Sequence, residues 1–281
     1  MHLNSTELSL LADAAAGAAH AAGALIASYA ERDVSVRHKA GADSLAAQVV
    51  TEVDELSQSV ILQHLQPTVD RYDLALLTEE LPDDGSRHAK DAFWCIDPMD
   101  GTLPFTQGIP GYSVSIALVA RDGRPLIGVV YDPVQSKLYR AVHGQGMTIN
   151  GAPWTSPLPQ SPLARPLHLY CDCTFEQHPD RQTIVAQMQR VAEELGYVGL
   201  SLESGGGGVL NACWVLEHAP ACYLKQPKIQ TGGGSLWDFA ATACLFHEAG
   251  AYARDFAGDA LDLNRADSTY MNHRGVLFAS D

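Results

Sequence analysis

Apolar positions in the first thirty residues recur at helical spacing: Leu11, Ala15, Ala18, Ala22, Leu25 and Tyr29. Asn4 and Glu7 stand three apart at the start and predict a capping pair. The stretch "RDVSVRHKAGADS" (32–44) has no periodicity and reads as an irregular, partly basic loop. A second helix is expected from about Thr51, with Val53, Leu56, Val60, Ile61 and Leu65 on one side and Pro67 at its end. "LALLTEE" and "AFWCID" read as short strands. From 112 to 150 the texture turns to β. "YSVSIALVA", "RPLIGVVYD" and "KLYRAV", separated by Arg-Asp-Gly and Asp-Pro, predict an antiparallel meander. The segment 153–166 holds five prolines and is the linker candidate. Beyond it strands and helices alternate: "LHLYC", "DRQTIVAQMQRVAEELG", a glycine run, "VLNACWVLEHA", "CYLK" and "SLWDFAATACLFHEAG". Two halves are predicted: 1–155, α+β and built on an antiparallel sheet, and 163–281, a smaller α/β half.

Composition narrows the partners. The chain has 281 residues, 46% hydrophobic and 18% charged, an ordinary globular balance. Its formal net charge of −15 argues against non-specific nucleic-acid or anionic-membrane binding. An anionic substrate would need positive charge from elsewhere, and bound metal would supply it. The Ala-rich N-terminus lacks a basic start, and Glu7, Asp13 and His20 interrupt it, so neither a signal peptide nor a membrane span is expected. The six cysteines are scattered, with Cys171 and Cys173 the only close pair. They read as reduced thiols of a cytoplasmic protein.

The candidate chemistry centres on "WCIDPMDGT" (94–102), where an apolar run ends in Asp97 and Asp100. A strand end projects side chains into a crevice where ligands commonly bind. Two carboxylates converging there either share a proton or are held ionised by a divalent cation. Oxygen ligands favour Mg²⁺, Mn²⁺ or Ca²⁺, and the amides of Gly101 and Thr102 would then lie ready for phosphate. The competing reading is an ordinary turn, since Asp-Pro and Asp-Gly are turn dipeptides.

Further acids bear on that choice. Glu79 and Glu80 end the strand "LALLTEE", and only one of two adjacent strand residues can face the site. Asp54 follows Thr51, and Asp238 follows Ser235, at capping-box spacing, so either acid could simply cap a helix. Taken together, these acids fit a multi-metal phosphoryl site better than separate coincidences.

"IDPMDGT", preceded by "VVTEVD" and "TEE" and followed by "LWDFAATACLFHEAGA", resembles the inositol monophosphatase family of metal-dependent, typically lithium-sensitive phosphatases. The stretch "PGYSVSIALVARDGRPLIGVVYDPVQSKLYRAVHGQGMTING" is similar to the family's central meander. The resemblance runs from about residue 10 to 280. It implies a layered α-β-α-β-α sandwich with the metal site between its halves. It implies that Glu79, Asp97 and the Met99 carbonyl hold one Mg²⁺, and that Asp97, Asp100 and Asp238 hold a second. Mn²⁺ is an alternative, and a third, weaker Mg²⁺ would sit near Glu79. Thr102, oriented by Asp54, would position or deprotonate the attacking water, and the Gly101 and Thr102 amides would contact phosphate. A homodimer acting on a small phosphorylated substrate is implied.

Charge balance agrees with this. Four carboxylates offset two divalent cations, and a phosphate monoester adds nearly two more negative charges, so a third cation or a base such as Lys39 becomes useful. Direct attack by water, with no covalent nucleophile, is the expected route.

Two departures loosen the inositol assignment. Inositol phosphatases of the family usually carry a substrate-binding Glu about six residues before the late Trp; here Thr231 stands there, in "QTGGGSLWD". "LESGGGGVLNAC" replaces a more usual Gly-Ser-x-Ala element. The glycines could admit a larger leaving group, as in 3'(2'),5'-bisphosphate nucleotidases of the same superfamily, or simply make tight turns. Fructose-1,6-bisphosphatase activity is a further alternative. So, in another class, is a catalytically silent metal- or phospholigand-binding protein.

Overall fold

The computed structural model describes residues 3–30, 36–38, 49–157 and 165–280. Helix α1 (Ser5–Tyr29) starts as predicted. The Asn4 side chain accepts from the Glu7 amide at 3.0 Å, and the Glu7 carboxylate accepts from the Asn4 amide at 2.9 Å. By length and composition alone, α1 is long and apolar enough to cross a membrane. Its apolar face is nevertheless a core face: Leu11, Ala15, Ala18, Ala22 and Ile26 are buried in one cluster with Ile61, Leu65, Trp94 and Ile116.

A short antiparallel pair, β1 (Val36–His38) and β2 (Val49–Thr51), precedes α2 (Glu52–Tyr72). Pro67 does not end α2 but lies inside it. Proline forfeits one helical hydrogen bond, and tertiary contacts hold the turn that follows. The Thr68 hydroxyl donates to the Leu65 carbonyl at 2.6 Å and accepts from the Trp94 indole at 2.9 Å.

The main sheet has seven strands in chain order: β3 (Ala75–Thr78), β4 (Ala92–Asp100), β5 (Ser113–Ala120), β6 (Pro125–Asp132), β7 (Lys137–Val142), β8 (Gly146–Ile149) and β9 (Ala152–Pro153). β3 is parallel to β4, and every other neighbour is antiparallel, so the expected meander is present. Both faces are covered, which is why β4 and β5 read as unbroken apolar runs. Along β4, Trp94 and Ile96 pack with α1 and α2, while Phe93 and Cys95 join Phe239, Phe246, Leu210 and Phe278 on the opposite face.

The second sheet has the order β11 (Leu200–Ser204), β10 (Leu167–Cys171), β12 (Ala221–Lys225), β14 (Val276–Ala279) and β13 (Tyr252–Arg254). β10 lies parallel to β11 and β12, and β14 antiparallel to β12 and β13. Helices α5 (Gly208–Glu217) and α6 (Leu236–Ala249) fill the space between the sheets. Helix α4 (Arg181–Glu194) covers the outer face of the second sheet through Ala192 beside Leu169 and Cys171. A short helix, α3 (Thr102–Thr106), follows β4. The layers run α-β-α-β-α, as expected. α6 belongs by sequence to the predicted 163–281 half, yet its residues share one core with β3, β4, β5 and β7.

The α1 cap can be tested alone because it is exposed. Asn4→Ala should lower unfolding free energy by about 1 kcal/mol in urea denaturation, without changing activity; no change would show that tertiary packing alone sets the helix start.

Candidate active site

The two aspartates of "IDPMDGT" are brought together by a β-bulge rather than by a turn beyond the strand. β4 continues to Asp100. Asp97 pairs with Ser115 and Asp100 with Ser113, so three steps on β4 face two on β5. Residues three apart on a regular strand point to opposite faces. The extra residue restores them to one side, and Pro98, which has no N–H to donate, sits within the irregular stretch. The Pro98 carbonyl accepts from the buried Ser57 hydroxyl at 2.8 Å, and Asp97 accepts from the Met99 amide at 3.0 Å.

Asp238 reaches the same point from the first turn of α6. Oxygens of Asp97, Asp100 and Asp238 lie within 4.8 Å of one another. Asp238 also forms a capping box with Ser235, whose amide donates to it at 2.5 Å. Capping and site membership are therefore compatible: one oxygen is tied to the helix start while the carboxylate faces Asp97 and Asp100. Glu79 extends the β3–β4 pairing through its amide, which donates to the Ile96 carbonyl at 3.2 Å. The Glu79 charge acts on Asp97 and so does that of Asp54, which is buried in the first turn of α2. Glu80 instead turns its amide to Gln58 at 3.2 Å.

The electrostatics of the cluster are one-sided. Burial, then the charges of Glu79, Asp238, Asp100 and Asp54, push Asp97 well above the usual carboxylate range. Burial and Asp238 raise Asp100 to about 8, against the pull of the Val209 amide and Lys225. Asp238 is raised by burial, opposed by Lys225 and by the Ser235 amide. The Asp100 carboxylate accepts from the amides of Gly208 at 3.1 Å and Val209 at 2.9 Å, the first residues of α5. A helix start favours an anion there.

Asp172 and Lys225 escape the sequence pattern. Lys225 Nζ lies 3.1 Å from Asp172, which also accepts from the Tyr223 hydroxyl at 2.9 Å. Although burial works against the ammonium, Asp172, Asp238 and Asp100 hold it charged, raising its pKa. In the sequence Asp172 is merely the residue between two cysteines, and Lys225 the end of a strand; only the fold brings them to the acids. All six cysteines are free thiols.

The other sequence candidates fall in different places. Thr102 opens α3, and its hydroxyl donates to the Met99 carbonyl at 3.3 Å. Gly101 has φ +87°, and a Cβ there would lie 2.4 Å from the Gly111 carbonyl oxygen, so only glycine fits. Thr231 is exposed in the loop before α6. Lys39 lies outside the described residues. The glycine run 205–208 is largely taken up by close packing. A Cβ on Gly207 would sit 2.3 Å from Asp100 Oδ2, and one on Gly206 2.7 Å from Asn211 and Trp214. The run therefore lends little support to a roomier leaving-group pocket.

A donor set made only of carboxylates, raised in pKa by burial and then by their mutual repulsion, fits hard divalent cations. A layered fold closing over such a cluster is the setting of the metal-dependent phosphatases to which the comparisons with known proteins point. The Inositol monophosphatase family model matches residues 7–280. A Nus factor SuhB from Pasteurella multocida is 31% identical over 212 residues, covering 74% of this chain and 72% of that protein. Inositol monophosphatase 1 of Solanum lycopersicum is 30% identical over 250 residues, 89% of this chain and 85% of the relative. The solved inositol monophosphatase from Anabaena superposes with a TM-score of 0.69 at 23% identity, covering 97% of this chain and 91% of that one. The chain belongs to the inositol monophosphatase family.

Two measurements probe the site. In chelator, the folded cluster holds protons that the unfolded chain releases above the ordinary value of 3.8, so stability should fall as pH rises from there towards about 8. Asp97→Asn should flatten that fall and melt no lower than the parent at the alkaline end. Equal slopes would show that the acids do not repel. Separately, Gly207→Ala should reduce phosphate release by at least about tenfold, because its methyl occupies the space of the Asp100 carboxylate; unaltered kcat would show that Asp100 can move without cost.

Proposed function

We propose that the protein is a Mg²⁺-dependent phosphomonoesterase that hydrolyses a small phosphorylated alcohol of the inositol monophosphate type by direct attack of water. The convergence of Asp97, Asp100 and Asp238 within 4.8 Å, beside Glu79 and Asp54, carries this reading. Glu79, Asp97, the Met99 carbonyl, Asp100 and Asp238 would hold two or three Mg²⁺, with Mn²⁺ as a substitute. When bound, the cations supply neutralisation of phosphate charge and a lowered pKa for the attacking water.

The chain's own groups do the rest. Asp97, on which the charges of Glu79, Asp238, Asp100 and Asp54 all act, would be the ligand shared between cations. Asp100 is fixed by the two amides of α5, and Asp238 by its capping box, so neither carboxylate needs to reorganise. Thr102, which the family resemblance pairs with Asp54, is the candidate to orient the water and take part in its deprotonation. The Gly101 and Thr102 amides would contact the phosphate. Lys225, held charged beside Asp100 and Asp238, offers positive charge that the sequence reading sought in Lys39. We further propose a homodimer, from the family resemblance, and a cytoplasmic location, which suits six free thiols. Light scattering checks the first and fractionation the second.

Phosphate release should vanish in EDTA and return with Mg²⁺, and lithium should inhibit. Full turnover in excess chelator would refute the metal-dependent route. A panel of inositol 1-phosphate, fructose 1,6-bisphosphate and 3'-phosphoadenosine 5'-phosphate, ranked by kcat/KM, tests the substrate class. No hydrolysis of any, with Mg²⁺ binding retained, would favour the silent binding protein. Asp238→Asn separates capping from catalysis, since an amide oxygen still accepts from Ser235. Stability should change by no more than about 1 kcal/mol, while activity should fall by orders of magnitude. Activity within about threefold of the parent, worth under about 1 kcal/mol of barrier, would reduce Asp238 to a cap.

A further inference from the structure

A second cluster of metal-ligating side chains lies at the other end of α6. Glu248 and His247 occupy its last turn, and His143 starts the turn between β7 and β8. Ligand atoms of all three lie within 4.8 Å of one another. Glu248 is the fixed member, its side chain only 8% exposed. Its Oε1 accepts from the Gly144 amide and its Oε2 from the Gly146 amide, both at 2.9 Å. These bonds and the neighbouring His247 and His143 hold the carboxylate below its usual pKa despite burial, so it is an anion at neutral pH. The two imidazoles stand over it with exposed rings, centroids 5.7 Å apart.

Two of the three separations match the edge of a metal tetrahedron. His247 Nδ1 lies 3.4 Å and His143 Nδ1 3.5 Å from the same Glu248 Oε1. Ligands about 2.0–2.1 Å from a tetrahedral Zn²⁺ are separated by about 3.3–3.4 Å along each edge. Hydrogen bonds of good geometry would be shorter, about 2.7–3.0 Å to a carboxylate. The Glu248 carboxylate is already oriented by two backbone amides, the kind of outer support that metal ligands usually have. Two imidazoles and one carboxylate select a borderline cation such as Zn²⁺ over Mg²⁺ or Ca²⁺. Glu248 is ten residues beyond Asp238 on one helix, about 15 Å along its axis, so this cluster is separate from the acidic one.

We propose that His143, His247 and Glu248 form a Zn²⁺ site, with a fourth position open to water, that clamps the C-terminal end of α6 to the β7–β8 hairpin. It is independent of the phosphatase reading. Both rings are exposed, so replacing them leaves the core untouched.

Calorimetric titration of untagged full-length protein with Zn²⁺, in saturating Mg²⁺ to occupy the acidic cluster, tests it. The parent should bind one more equivalent of Zn²⁺ than His143→Ala or His247→Ala, or bind it at least about tenfold more tightly. Zn²⁺ should raise the parent's melting temperature but not that of either variant, and phosphate release in Mg²⁺ alone should be the same in all three. Co²⁺ should give the parent the intense visible band of a tetrahedral nitrogen-containing site, which an oxygen-only octahedral site lacks. Equal Zn²⁺ stoichiometry and affinity in parent and variants, or a Co²⁺ spectrum without that band, would overturn the site and leave the histidines as ion-pair partners of Glu248.

Discussion

The rest of the structure answers one constraint: like-charged carboxylates are buried beside one another. Asp97 and Asp100 are almost wholly excluded from water, and Asp54, Glu79 and Asp238 add like charge around them. Taking one carboxylate out of water costs several kcal/mol, and repulsion adds to it. Such a cluster persists only where the fold over-determines it and where cations or helix starts answer the charge. α5 gives two amides to Asp100, the α6 cap gives one to Asp238, and Lys225 sits beside both.

Close backbone approach makes that convergence possible. Gly101 lets the turn after β4 lie on Gly111, and Gly207 lets the start of α5 touch the Asp100 carboxylate. The helix that begins at the Gly207 contact, α5, and the helix that carries Asp238, α6, belong to the layer between the two sheets, so both are anchored in the core those sheets share. A rigid surround limits the reorganisation that phosphoryl transfer would otherwise demand. The same central helix, α6, presents Asp238 at one end and Glu248 at the other, which places two distinct ligand sets on one rod.

Much was legible along the chain. Periodicity located α1 with its Asn4–Glu7 cap, the meander and the alternating elements after the proline-rich segment, because local propensity and packing agreed there. The acids of "TEE", "IDPMDGT" and "SLWD" stood out because charge at the end of an apolar run has few structural uses. Pro67 misled, because the neighbouring Thr68 bonds the Leu65 carbonyl and the indole of Trp94, a core residue distant in sequence, and these hold the turn that proline weakens. Glu7, Asp13 and His20 do not stop α1 from being apolar enough overall for a span by length and composition, and its burial against α2 and the sheet accounts for that apolar face.

By itself, then, the sequence determined which residues could do chemistry and which segments would be helix or strand, because both are properties of neighbours along the chain. The tertiary structure decided what those residues face. The bulge that turns Asp97 and Asp100 to one side depends on pairing with Ser115 and Ser113. The packing of the glycine run depends on an aspartate more than a hundred residues earlier. The partnership of Lys225 with Asp172, and of His143 with Glu248, depends on strands and helices that meet only after folding. Charge acts through space, over a few ångströms, and no spacing along the chain records that distance.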